Sequence, residues 1–127
     1  MRAAFLLALI ALTAGCQRSD PGAPTTEGVC WRADPAPPRF VALEQDVPDL
    51  ISCAMDLDLA YLGEGHALVG AYQGKYIFVG PDKIQSAQGL DLFRYPLFNK
   101  AQRAALDSQL RVVLAARNLS AAQAKRR

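Results

Sequence analysis

Few residues of this chain combine a reactive side chain with a spacing that could do chemistry. His66 is the single histidine among 127 residues, so a metal site needing two imidazoles is excluded. Its context, Glu64-Gly65-His66, places it at a loop-to-strand junction, where a plain surface imidazole is expected. Ser52 sits on a predicted helix without the Gly-x-Ser-x-Gly elbow that presents a nucleophile. Asp46, Asp49, Asp56 and Asp58 lie on or near one helix. They lack the alternating oxygen ligands and central glycine of a calcium loop, and a solvated acidic face is expected. Gly63-Glu64-Gly65 follows a helix and precedes a strand, the reverse of the order a dinucleotide fingerprint requires. Cys30 and Cys53 are spaced as C-x22-C, which fits no zinc or redox motif. No metal and no cofactor are expected.

The most suggestive group is Tyr72, Lys75, Tyr76, Arg94 and Tyr95. If the segments carrying them meet, tyrosines and two cations could line a groove for an anionic or glycan ligand. The alternative, and the leading expectation, is that the rings cover a sheet while their hydroxyls reach water.

The third cysteine has a different setting. Met1 to Cys16 reads MRAAFLLALIALTAGC, with Arg2 as a positive start and Ala3 to Ala14 as an uncharged, largely apolar run. As a helix that run would span roughly 18 Å, short of the roughly 30 Å of hydrocarbon in a bilayer, so it reads as a secretory signal and not a membrane span. Leu12-Thr13-Ala14-Gly15-Cys16 resembles the lipobox of bacterial lipoproteins, with Thr13 where that family usually has Leu. The resemblance covers the signal and its cysteine only. It implies cleavage before Cys16, lipidation of Cys16, and attachment to a membrane through two or more acyl chains, which hold far longer than one. Gln17, in place of the Asp that retains such proteins at the inner membrane, implies the outer membrane, facing the periplasm. In that oxidising compartment Cys30 and Cys53 are expected to pair, closing a loop worth about 3 kcal/mol in the chain-entropy account.

Removing residues 1–15 from 127 leaves 112, enough for one domain with an adequate core. The formal net charge of +2 gives no reason to expect nucleic acid as a partner. The expected organisation is residues 1–15 as signal, 16–28 as lipidated cysteine and flexible spacer, 29–117 as one α+β domain, and 118–127 as a frayed basic tail.

Within the domain, Asp34-Pro35-Ala36-Pro37-Pro38 is expected to be a stiff extended connector, and Arg39 to Leu43 a short strand. A helix is predicted from Asp46, its cap, to Gly63, with Leu50, Ala54, Leu57 and Tyr61 as the apolar stripe and Ile51 and Leu62 beside it. Met55 to Tyr61 also alternates as a strand would, but its aspartates favour helix. His66–Tyr72 and Lys75–Val79 flank Gln73-Gly74 as a hairpin, and Lys83–Ala87 adds an edge strand. Gly89 to Phe98 reads as a loop, because Pro96 blocks regular pairing. Asn99 caps a last helix, Lys100–Arg117, whose stripe is Leu106, Leu110, Val113, Leu114 and the stem of Arg117, with Arg103, Asp107 and Arg111 facing water. The expected fold is a small antiparallel sheet of three to four strands, in the order β-α-β-β-β-α, covered by two helices.

These features predict a non-enzymatic cell-envelope lipoprotein that presents its domain to another envelope component. One alternative is a periplasm-facing small-ligand or glycan-binding module. Another is a hydrolase, which would need carboxylates such as Glu64 and Asp82 brought close by the fold.

Overall fold

The computed structural model describes residues 22–127; the signal, the lipobox and Cys16 lie outside the described residues. The elements are β1 (Cys30–Ala33), β2 (Phe40–Glu44), α1 (Leu50–Glu64), β3 (Leu68–Tyr72), β4 (Lys75–Val79), β5 (Ile84–Ala87), β6 (Tyr95–Pro96) and α2 (Lys100–Lys125). The fold is α+β. Its sheet has six strands among the described residues, ordered β2-β1-β3-β4-β5-β6, with every neighbouring pair antiparallel.

The expected three to four strands and the order β-α-β-β-β-α therefore fall short by β1, which lies between β2 and β3, and by β6 at one edge. β1 has only four residues, and its inward and outward positions are too few to register as an alternating pattern. The proline-rich stretch after it is not an extended connector. It folds into the turn that joins β1 to β2, closed by Asp34 N–H donating to the Arg39 carbonyl at 2.9 Å. β6 has two residues, and Pro96 is tolerated because it lies on an edge strand, where its missing N–H costs no ladder bond.

Gln73 and Gly74 both have positive φ, 43° and 84°, as a two-residue hairpin turn with right-handed twist requires. The Gln73 side chain accepts the Gly28 N–H at 3.0 Å. Together with the Gly74 N–H bond to the Pro24 carbonyl, this lays residues 22–28 against the sheet. That part of the expected spacer belongs to the folded body.

α1 starts later than its predicted cap. Val47 precedes a proline and is held extended, so Asp49 is the cap and accepts the Ser52 N–H at 2.7 Å. Asp46 instead turns the chain with φ 55°. The helix continues past Gly63 to a left-handed cap at Gly65. Met55 to Tyr61 is helical throughout. α2 opens with a capping box, Asn99 and Gln102 each accepting the other's N–H at 2.8 and 2.9 Å. It runs through Lys125, so residues 118–125 are helix and not the expected loose tail.

α1 lies across the sheet. Cys53, Ala54 and Leu57 pack with Cys30, Leu68, Tyr72, Ile77, Val79 and Ile84 in the main core. Gly70 makes this approach possible: a Cβ there would collide with the Leu57 methyls and stand 2.6 Å from the Trp31 carbonyl oxygen. The Cys30–Cys53 disulfide, with Cα atoms 5.2 Å apart, ties β1 to α1. α2 packs mainly on α1 and not on the sheet. The opposite sheet face carries a smaller cluster of Ala71 and Tyr76 under Ala23, flanked by Trp31, Phe40, Val69, Phe78 and Leu90.

Candidate functional site

The five residues singled out from sequence do not form one groove. Cross-strand partners in an antiparallel sheet share a face, and successive residues alternate. Tyr72 points into the helix-side core, where its hydroxyl donates to the Val47 carbonyl at 2.7 Å. Tyr76 lies on the opposite face, fully buried between the Phe40 and Phe78 rings at 6.2 and 6.4 Å. Lys75 pairs with Tyr72 at the hairpin and is exposed. Both tyrosines are thus core residues, and the expectation that their hydroxyls reach water fails for Tyr72.

Arg94 and Tyr95 do meet other surface residues. The segment after β5 is fastened at both ends. Leu92 N–H donates to the Gly89 carbonyl at 3.2 Å, and β6 pairs with β5 before Leu97 N–H donates to the Ile84 carbonyl at 2.9 Å. Leu97 and Phe98 then turn into the main core. Between these fixed points the Arg94 guanidinium lies 3.7 Å from the Phe78 ring centroid, a cation–π stack. The Phe93 and Tyr95 rings meet edge to face at 4.8 Å, while 72% and 58% of their surfaces remain exposed. Leu92 is exposed beside them. Ordered aromatic and arginine side chains on a surface are the residue types that dominate binding energy at protein interfaces.

Beside this loop, a groove of about 780 Å³ separates the β5–β6 edge from the first turns of α2. Lys83, Lys100, Asp82, Phe98 and Pro96 form its walls, and Arg103 and Asp107 its inner side. Sequence periodicity had turned Arg103 and Asp107 to water and placed Asp58 on a solvated face. All three point inward instead. The Arg103 Nη2 donates to Asp58 Oδ1 at 2.9 Å, its Nη1 to the Gly80 carbonyl at 2.9 Å, and its Nε to Asp107 at 3.3 Å. The guanidinium carbon lies 5.4 Å from the Tyr61 ring centroid. Asp58 has no exposed surface and Arg103 only 6%. Asp58 Oδ2 is buried without a hydrogen-bond partner, and the Asp107 carboxyl holds the Nε of the same guanidinium. Burial, then this second carboxyl, pushes Asp58 up to about 7 against the pull of Arg103.

No signal in the sequence distinguished this knot. An aspartate at a core position of a helix reads as a break in the stripe until its arginine, 45 residues away, is found. A pair of close carboxylates was the feature that would favour a hydrolase, and the pair present is Asp58 with Asp107. Glu64 instead forms a two-pronged ion pair with Arg32 at 2.6 and 2.7 Å, which holds it below the usual carboxylate range and clamps β1 to the end of α1. Asp58 sits behind Arg103 with no surface for a substrate atom to touch, so of the two carboxyls only Asp107 reaches the groove, and Asp58 fastens α2 to α1 through Arg103.

His66 is exposed, its Nδ1 3.2 Å from the Ala67 carbonyl oxygen. Among the described residues no group of three or more metal-ligating side chains converges, and no helix is long and apolar enough to cross a membrane. The chain matches no family profile, and no curated protein or solved structure is significantly similar to it.

Proposed function

We propose that this chain is a non-enzymatic lipoprotein of the cell envelope, moored through Cys16, that uses the Leu92–Tyr95 loop to hold another envelope component. The lipobox-like sequence supports the mooring, and Gln17 after its cysteine favours the periplasmic side of the outer membrane. The Cys30–Cys53 disulfide supports an oxidising compartment of this kind. The observation that carries the binding role is the Phe93–Tyr95 pair: two aromatic rings kept exposed yet held in register by Arg94 on Phe78 and by β6 on β5. Preordered side chains lose little conformational freedom on association, which favours tight contact over a small area.

The test is in-cell photo-cross-linking from position 93, with Phe93→Ala/Tyr95→Ala as the control. A discrete adduct that the double substitution abolishes, at unchanged melting temperature, supports the role. The absence of any adduct across growth conditions refutes it. Mass spectrometry of the mature chain tests the mooring separately, by an acylated N-terminus at Cys16.

A second reading, a small-ligand module, is favoured by the groove between β5–β6 and α2. Its two lysines beside Phe98 and Pro96 suit an anionic ligand with an apolar part. Such a ligand would raise the melting temperature of the purified chain, which a protein partner's absence would leave unchanged.

A further inference from the structure

The distal half of α2 has a face that the fold leaves open. Leu106, Leu110 and Leu114 recur every four residues and turn toward α1. Val112, Ala116 and Leu119 recur on the roughly opposite face. Val112 and Leu119 are 70% and 65% exposed. After Leu114 every residue is exposed, so about 16 Å of helix, residues 115–125, projects from the body. Five alanines in that stretch explain why it holds its shape there.

The charge is equally uneven. Residues 111–127 contain Arg111, Arg117, Lys125, Arg126 and Arg127 and no acidic residue. The other 110 residues hold nine basic against twelve acidic side chains, a net of −3. Arg117 leans toward Asp56 on α1, and Arg111 stands one turn after Asp107; Lys125, Arg126 and Arg127 have no acidic residue near them in the sequence. An apolar stripe joined to unopposed cations on a projecting helix is the composition of a helix that lies in a membrane interface. A second copy of the chain is a poor occupant, because pairing this face with itself sets five cations against five.

We propose that the distal half of α2 is a membrane contact in its own right, lying on a bilayer that displays anionic phospholipid headgroups. Val112, Ala116 and Leu119 face the acyl chains, while Arg111, Lys125, Arg126 and Arg127 reach the phosphates. The contact does not depend on the N-terminal lipid, although a mooring at Cys16 would raise its occupancy by proximity.

The experiment uses the full chain carrying Leu119→Trp, compared with the unsubstituted chain, in which Trp31 is the single tryptophan. Each is mixed with vesicles of phosphatidylglycerol and phosphatidylcholine, or of phosphatidylcholine alone, containing brominated acyl chains. On the anionic vesicles the introduced indole should shift to the blue and be quenched by bromine, and high salt should reverse both changes. Phosphatidylcholine alone should give neither. Replacing Arg111, Lys125, Arg126 and Arg127 by Gln should weaken vesicle binding at least about tenfold with helix content unchanged. Chain bound to anionic vesicles without quenching at position 119, or quenching equal on both vesicle types, overturns the proposal, as does a protein partner on this face with no response to lipid. An unacylated N-terminus in mass spectrometry would remove the mooring and leave this result standing.

Discussion

Arg103 on α2 reaches Asp58 on α1 with an Nη2–Oδ1 distance of 2.9 Å, and both side chains are almost wholly buried. The same guanidinium holds the Gly80 carbonyl at the end of β4. One side chain thus joins the last helix, the first helix and the sheet, where apolar contact between α2 and the sheet is slight. Breaking a buried pair by removing one partner costs more than the pair contributes, because the other charge is stranded. Arg103→Leu should therefore lower stability by about 3–5 kcal/mol, measured by urea unfolding. A change under 1 kcal/mol would show that α2 is held by apolar contact alone.

The neighbouring carboxyl gives the knot a pH dependence with a definite sign. Asp58 titrates near 4 in the unfolded chain and is pushed up to about 7 in the fold, first by burial and then by Asp107. Between those values the folded chain keeps a proton that the unfolded chain has lost. Stability therefore falls as pH rises through that window and levels off above it. Asp56, raised by burial and by Glu44, acts in the same direction. Asp49 and Glu64 are held low by the Ser52 amide and by Arg32, so their contributions disappear only at pH below about 4. The melting temperature should be higher at pH 5 than at pH 8, and Asp58→Asn should remove most of that difference. An unchanged slope in the variant would place the titration elsewhere.

The parts of this fold that were legible in the sequence are those whose signals are local. The hairpin around Gln73-Gly74 follows from two β-rich runs and a turn dipeptide, the Asn99 cap from residue type, and the Cys30–Cys53 bond from the exported setting that the lipobox resemblance implies. β1 and β6 were not legible, since four and two residues carry too little periodicity and are strands only because β3 and β5 offer them edges. Arg103 and Asp58 were misplaced for a related reason. Polar residues are assigned to water by default, and only long-range contact reveals that each satisfies the other. The candidate groove failed because Tyr72 and Tyr76 are four apart across a two-residue turn, which puts them on opposite faces once the register is known.

Reducing the Cys30–Cys53 bond frees a loop spanning 23 residues and returns its entropy to the unfolded chain. The expected loss is about 3 kcal/mol. For a domain of this size that corresponds to a melting temperature lower by on the order of 10–20 °C. Calorimetry with and without reductant measures it, and Cys30→Ala/Cys53→Ala should match the reduced chain. A shift of only a degree or two would mean that the bond constrains little.

Gly70 tests the seating of α1 on the sheet. It is needed for space and not for an unusual φ, since a Cβ would meet Leu57 and the Trp31 carbonyl. Gly70→Ala should cost about 1–3 kcal/mol through overpacking. Pairing it with Leu57→Ala should recover part of that loss in a double-mutant cycle, since the small side chain vacates the contested volume. Strict additivity of the two changes would show that the helix shifts bodily.

Tyr72 and Tyr95 separate the core from the surface in the group first picked out by residue type. The Tyr72 hydroxyl is the buried donor to the Val47 carbonyl, in the turn that precedes α1, and that turn also holds Asp46 in its left-handed conformation. Tyr72→Phe removes the donor while keeping the ring, leaving the carbonyl desolvated at a cost of about 1–3 kcal/mol. Tyr95→Phe removes a hydroxyl from an exposed ring and should change stability by less than about 0.5 kcal/mol. For partner capture the order should reverse: Tyr95→Phe or Phe93→Ala should weaken it, and Tyr72→Phe should not, at temperatures where each variant stays folded. Equal effects of Tyr72→Phe and Tyr95→Phe on stability and on capture would mean that the two tyrosines act through one region, contrary to their placement on the strands that hold them.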